Sequence, residues 1–236
     1  MRTMVLAALL PLMACGVAAA DTNAGIPARG TGNVRTFDAR DFSAVKLGGS
    51  DDVVVRVGGD YAVRAEGDPR ILDRLKITRD GGALTISRRS DGGRGHARVF
   101  VTLPAIDSAS IGGSGNMTID RVTGPSFEGR IAGSGNMTLA QVATRALSIG
   151  ITGSGTVAAR GTTERLSARS AGSGSIDAAQ LVARTAEVGS VGSGDIRATV
   201  RGGAEVSSVG SGDVDLGRDA QCRVRKAGSG DVRCGG

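Results

Sequence analysis

The chain has 236 residues, 39 of them glycine, with an apolar fraction of 40%, an aromatic fraction of only 2% and a formal net charge of +6. Collagen is excluded because the glycines lack an every-third-residue period, and simple disorder because the apolar content is too high. The basic residues are nearly all arginine and are interleaved with Asp and Glu. With almost no aromatic side chains for bases to stack on, nucleic acid is a poor partner, and an anionic envelope polymer a better one.

The first residues read as a targeting segment. Arg2 precedes an apolar run over 4–14 that is too short to span a bilayer. Cleavage after Ala18-Ala19-Ala20 makes 1–20 a signal peptide and leaves a polar mature start at Asp21. The alternative is a lipobox, Leu12-Met13-Ala14-Cys15, in which Cys15 is lipidated; Met13 fits it imperfectly. Membrane attachment is expected only in that second case. Export places Cys222 and Cys234 in an oxidising compartment, where a disulfide closing a short loop is expected. These two thiols and the single His96 do not supply a four-ligand metal cage, and no cofactor is expected.

Residues 21–36 are polar and read as a flexible tether. From 37 to 104 the pattern is that of degenerate coils. Gly49-Ser50-Asp51, followed by Val53 and Val55, resembles a corner, while 61–65, 84–86 and 99–101 read as strands. A short helical turn is predicted over 71–75, after Pro69. The span 88–98 carries Arg88, Arg89, Arg94, His96 and Arg98 among three glycines and reads as a solvated loop, with His96 exposed in it.

From 105 to 236 a repeat dominates. Gly-Ser-Gly begins at Gly113, Gly133, Gly153, Gly172, Gly192, Gly210 and Gly228, at intervals of 18 to 20 residues. Two residues after each triplet stand Met117, Met137, Val157, Ile176, Ile196, Val214 and Val232, and alternation continues to the fourth. A second alternating strand precedes each triplet. Its column two residues before the first glycine changes from Ile111, Ile131 and Ile151 to Ser170, Ser190, Ser208 and Lys226, which suggests a core that narrows or opens toward the C-terminus.

Period-two alternation separates an inside from an outside. A coil of about twenty residues cannot bury its apolar side alone, so stacking on its neighbours must do so. The predicted fold is therefore all-β: a parallel β-helix, a β-solenoid with glycine-rich corners and coils of 18–20 residues, with two or three faces. Asp177, Arg197, Asp215 and Arg233 are expected as an outward ladder of alternating sign, and Cys222 and Cys234 on inward columns of the last coil.

These words resemble the putative auto-transporter adhesin head GIN domain family over essentially the whole mature chain. The resemblance is carried by 37–45 as an opening strand, Gly49-Ser50-Asp51 with Val53-Val54-Val55, Gly82-Ala83-Leu84-Thr85-Ile86 and the repeats to Val232. It implies a right-handed parallel β-helix in an exported bacterial protein, and no established activity.

Candidate chemistry is sparse. Asp195, Asp213 and Asp231 each follow a triplet and should stack. Two such carboxylates could act as acid and base, or all three could hold Ca²⁺ with corner carbonyls. Asn116, Asn136, Thr156 and Ser175 hold the same position, however, and favour a turn-capping role. These aspartates, with Arg88, Arg89 and Arg94 for an anionic ligand, are the candidate binding residues, and no catalytic residue is assigned. The expected function is a non-enzymatic binding, adhesion or scaffolding module in the periplasm or at the cell surface. Its expected partner is an envelope glycan, an anionic surface polymer or a protein. A polysaccharide-acting enzyme and a self-assembling homo-oligomer are the alternatives.

Overall fold

The computed structural model describes residues 25–89 and 95–235. Its N-terminal elements are β1 (Ala28–Arg29), β2 (Val34–Phe37), β3 (Ala44–Gly49), β4 (Asp52–Val57), β5 (Ala62–Glu66), α1 (Pro69–Leu72), β6 (Leu75–Asp80), β7 (Ala83–Arg88) and β8 (Arg98–Leu103). The repeats follow as β9 (Ser108–Gly113), β10 (Asn116–Ile119), β11 (Val122–Gly133), β12 (Asn136–Gly153), β13 (Thr156–Gly172) and β14 (Ser175–Gly192). The chain finishes with β15 (Ile196–Val200), β16 (Gly203–Gly210), β17 (Val214–Asp215), β18 (Gln221–Ala227) and β19 (Val232–Arg233).

The architecture is a β-solenoid. From β9 onward each coil lies parallel on the one before it, one repeat per coil, so that Ile131, Ile151, Ser170, Ser190, Ser208 and Lys226 form one column. Within β12 the paired stretches are 136–139, 142–144 and 146–153. Buried positions follow the same division: 137 and 139, then 142 and 144, then 147, 149 and 151. Each change of phase is a bend, so the regular coil has three walls: one after the corner, a short one, and a long one leading to the next corner.

Inside, Met117, Met137, Val157, Ile176, Ile196 and Val214 are at most 1% exposed. Burying an aliphatic side chain of this kind contributes about 1.5–3 kcal/mol. Gly129 stands in an inward column because a Cβ there would lie 3.1 Å from Met137 Sδ. The change from isoleucine to serine does not open the core. Ser170, Ser190 and Ser208 stay buried, and the first two donate their hydroxyls to Gly174 O and Gly194 O of their own coils, at 2.7 and 3.3 Å.

Two different constraints fix the corner glycines. The first glycine of each triplet has positive φ, 137° at Gly133 and 124° at Gly153, a region that side chains rarely adopt. The second does not, yet a Cβ on Gly135 or Gly155 would sit 2.2 Å from the carbonyl oxygen of the equivalent glycine one coil below. That closeness accompanies an unusual hydrogen bond. The amides of Ser134 and Gly135 both donate to Gly113 O, at 3.0 Å each, and those of Ser154 and Gly155 to Gly133 O, at 3.0 and 3.2 Å. One carbonyl thus uses both lone pairs on the coil above.

The N-terminal region departs from simple coils. β3, the Gly49 corner and β4 form one rung under β9 and β10. Below it lies a rung made of β7 and β8, later in sequence, parallel to β3 and β4. β6 then runs antiparallel to β7, β5 antiparallel to β8, β2 antiparallel to β5 and β1 antiparallel to β2. The expected opening strand over 37–45 is divided between β2 and β3, and the stretch expected as a tether contributes β1 and most of β2. The reversed strands close this end of the core. Phe37, Phe42, Ile71, Leu72 and Ile77 are buried there, and the rings of Phe42 and Tyr61 lie 5.0 Å apart. The helical turn begins slightly earlier than predicted because Asp68 caps it, accepting from Arg70 N at 2.8 Å. Partly buried Arg35 braces it by bonding Asp73 at 2.7 Å.

At the other end, Cys222 and Cys234 are joined by a disulfide across the last coil. The glycine geometry makes a sharp prediction. Gly155→Ala should lower stability by at least about 2–3 kcal/mol, through carbonyl overlap. Gly150→Ala, where a Cβ meets only Arg130 Cγ at 3.9 Å, should change it by less than about 0.5 kcal/mol. Chemical denaturation of the two variants checks this.

Candidate functional site

Asp195, Asp213 and Asp231 do stack, one per coil, and their chemistry is that of a ladder. Asp195 Oδ1 accepts Asp213 N at 3.0 Å, and Asp213 Oδ1 accepts Asp231 N at 2.8 Å. Earlier coils use the same position for a ladder built largely from side chain to side chain. Asn116 Nδ2 donates to Asp52 Oδ1, Asn136 Nδ2 to Asn116 Oδ1, and Thr156 N to Asn136 Oδ1. The second oxygen of Asp195 takes Arg197 at 3.1 Å, while Asp231 lies 3.9 Å from Arg233 and 4.0 Å from Lys226. Carboxylates tied in this way to the next backbone amide serve turn capping better than acid–base work. Among the described residues no group of three or more His, Cys, Asp or Glu is arranged to hold a metal ion.

The predicted alternating ladder is in register, with Asp177 beside Arg197, Arg197 beside Asp215, and Asp215 beside Arg233. Its bonds nevertheless run along the strands. Asp215 Oδ1 accepts Gly217 N at 3.0 Å, and Arg197 reaches Asp195. Adjacent opposite charges still avoid like-charge contact.

The arginine loop divides. Arg88 is a structural cation: its Nε donates to Asp51 Oδ2 at 2.8 Å, its Nη2 bonds Asp51 Oδ1, and Nη2 also reaches Gly95 O at 2.8 Å. Asp51 is fully buried and also accepts Ala97 N at 2.7 Å. The hydrogen bond to Asp51, against the opposing effect of burial, holds the Arg88 guanidinium above its ordinary value. Arg89 N donates to Arg74 O at 2.9 Å. Arg94 lies outside the described residues, as does Cys15. His96 is exposed, with Nδ1 donating to Ser50 O at 2.6 Å.

Asp51 occupies the place of a corner's second glycine, and the reason is geometric. The sequence between β7 and β8, the rung beneath it, has no Gly-Ser-Gly triplet, and the carboxylate finds the amide of Ala97 and the guanidinium of Arg88 there. The pattern Gly49-Ser50-Asp51 was visible in the sequence, but its long-range partner was not.

The long wall carries the features that the inward columns do not reveal. Its outer face has two shallow grooves running along the solenoid axis. One lies between the column Arg130, Gly150, Arg169, Gly189 and the column Ala132, Thr152, Ala171, Val191. The other is bordered by Ser126, Ala146 and Arg165 on one side and by Glu128, Ser148 and Glu187 on the other. The ridge between them is charge-balanced: Arg130 pairs with Glu128 and Arg169 with Glu187, each at 2.5 Å. The Arg130 and Arg169 stems lie over the next coil's Gly150 and Gly189, whose added Cβ atoms would be 3.9 and 3.7 Å from their Cγ atoms. An Arg/Gly alternation at repeat spacing is the sequence signal for this ridge.

No helix of the described residues is long and apolar enough to cross a membrane. The family described as "Putative auto-transporter adhesin, head GIN domain" matches residues 41–220. No curated protein matches the chain. Among solved structures, a putative adhesin from Bacteroides fragilis NCTC 9343 is similar at TM-score 0.78 and 20% identity, over 85% of this chain and 95% of that one. A putative lipid binding protein from Parabacteroides distasonis ATCC 8503 is similar at TM-score 0.71 and 23% identity, over 88% and 98%. A putative adhesin from the same Parabacteroides strain gives TM-score 0.66 and 19% identity, over 87% and 98%. At these identities the likeness is one of fold.

The Asp51–Arg88 pair yields a test that separates structure from ligand binding. Removing one partner of a buried ion pair leaves the other charge uncompensated, at a cost of about 3–5 kcal/mol. Arg88→Ala should therefore lower stability on that scale in chemical denaturation. Asp195→Ala, on the exposed ladder, should cost about 0.5–1.5 kcal/mol.

Proposed function

The chain belongs to the family described as "Putative auto-transporter adhesin, head GIN domain", and we propose that it is an exported, non-catalytic adhesion module that binds an extended envelope glycan along its long wall. The observation that carries this reading is the pair of open grooves. They cross successive coils from the rung of Ser110 to that of Gly189, about 19 Å at the spacing of stacked strands. Their long, shallow form suits a polymer lying along the axis better than a small molecule held in an enclosed cleft. Small residues such as Ala132 and Ala171 let a chain of sugar rings approach the backbone. Arg130–Glu128 and Arg169–Glu187 line the ridge with both donors and acceptors for hydroxyl groups while adding no net charge. Residues 1–20 act in this reading as the export signal, and the periplasm or cell surface is the working compartment.

The non-catalytic part of the proposal rests on the aspartate column, in which Asp195 Oδ1 and Asp213 Oδ1 each accept the next coil's backbone amide and Asp195 Oδ2 pairs with Arg197. Tyrosines at 150 and 189 would fill the first groove without backbone strain, since neither glycine has positive φ. Gly150→Tyr/Gly189→Tyr should retain the circular dichroism and melting temperature of the parent. It should bind purified envelope polysaccharide about tenfold more weakly, a loss of about 1.4 kcal/mol. Unchanged binding, or cleavage of the glycan that Asp213→Ala abolishes, would overturn the proposal.

A further inference from the structure

The two ends of the solenoid are finished differently. At the N-terminal end, the antiparallel strands β6 and β5 cover the last parallel rung. At the C-terminal end, β18 pairs with β16 and β19 with β17, and among the described residues nothing lies beyond them. Val224 is 45% exposed, whereas Val206 and Val188 below it in the same column are 3% and 2% exposed. The backbone is open as well. Gln221 N donates back to Gly202 O, so by the alternation of a parallel ladder the amides and carbonyls of Cys222, Val224 and Lys226 face away from β16. Unpaired edges of this kind are templates for another strand.

The charge of this edge says which strand. On the outer face, Glu187 and Glu205 are followed in the last coil by Arg223, and Ser207 is followed by Arg225. Lys226 replaces the buried Ser208, and Arg233 follows Asp215 on the adjoining wall. Asp231, near Lys226 and Arg233, is the acidic group among them. A further rung would lie against Arg223, Arg225, Lys226 and Arg233, and an acidic one would offset their charge. A second copy meeting this end by a two-fold axis would set Arg223, Arg225 and Lys226 against themselves, and like charges directly opposite are destabilising. A polysaccharide could satisfy the cations but not the ladder.

We infer that the C-terminal coil is a docking edge for an acidic, extended segment of a partner protein, which adds to β18 as one further strand and covers Val224. This mode takes affinity from main-chain hydrogen bonds and specificity from alternate side chains. It is independent of the glycan grooves, which lie on the outer face of the wall.

The test appends to the full chain a Gly/Ser linker and a segment of alternating Glu and Val, which holds the probe at about millimolar effective concentration. Amide hydrogen exchange should show Cys222, Val224 and Lys226 slowed by about a hundredfold or more relative to the same linker without the segment. Replacing Glu by Lys in the segment, or changing Arg223→Glu and Arg225→Glu in the coil, should remove most of that protection. N-methylation of alternate residues in the free peptide should weaken its binding about tenfold or more. The proposal is overturned if the tethered segment leaves these amides unprotected. It is also overturned if dextran sulfate competes while N-methylation has no effect, which would mark a site for polyanions. Protection that appears without the segment and grows with protein concentration would instead assign the edge to a second copy.

Discussion

The fold depends on what happens where one corner sits on another. A carbonyl from the first glycine of a triplet receives two amides from the coil above, and the second glycine of each triplet passes too close to its predecessor's carbonyl for any Cβ to fit. Once that contact is made, the register of everything else is fixed, because a slip of one residue would turn every inward side chain outward. The aliphatic columns then share one interior, the polar residues after the triplets bond from coil to coil, and the outward column Asp177, Arg197, Asp215 and Arg233 alternates in sign. The corner supplies position, and burial supplies most of the driving force.

The same contact accounts for the two exceptions. Asp51 stands where a glycine should be because the sequence between β7 and β8, the rung below it, has no Gly-Ser-Gly triplet, and its carboxylate instead holds Arg88 and the amide of Ala97. At the far end, the Gly228 corner and β18 form the last coil of the described residues, and the proposed docking edge lies above them. A solenoid is quasi-one-dimensional, so its ends are where its construction must change. One end changes by reversing strand direction, the other by a disulfide and a cluster of cations.

The parallel coils from Gly113 onward were legible in the sequence because each column repeats a residue type at nearly constant spacing. The serines at 170, 190 and 208 were legible as inward but not as bonded to corner carbonyls, since no spacing encodes a hydroxyl's partner. The strands β5 and β6 could be recognised by their alternation, but alternation is the same in either direction, so their antiparallel pairing was hidden. Asp51 and Arg88 lie 37 residues apart, and neither belongs to a repeated column. The long-wall ridge is hidden for a simpler reason: its signal, Arg130, Gly150, Arg169 and Gly189, lies on outward positions, which the apolar columns do not mark. The proposed glycan-binding reading rests on those outward positions.

Amide hydrogen exchange resolved at the corners tests the central contact most directly. Ser134, Gly135, Ser154 and Gly155 lie in surface turns, yet their amides should exchange as slowly as those of the adjoining strands, because each pair is held by a carbonyl of the coil below. Exchange of these four at the rate of free peptide, while the strands stay protected, would contradict the account.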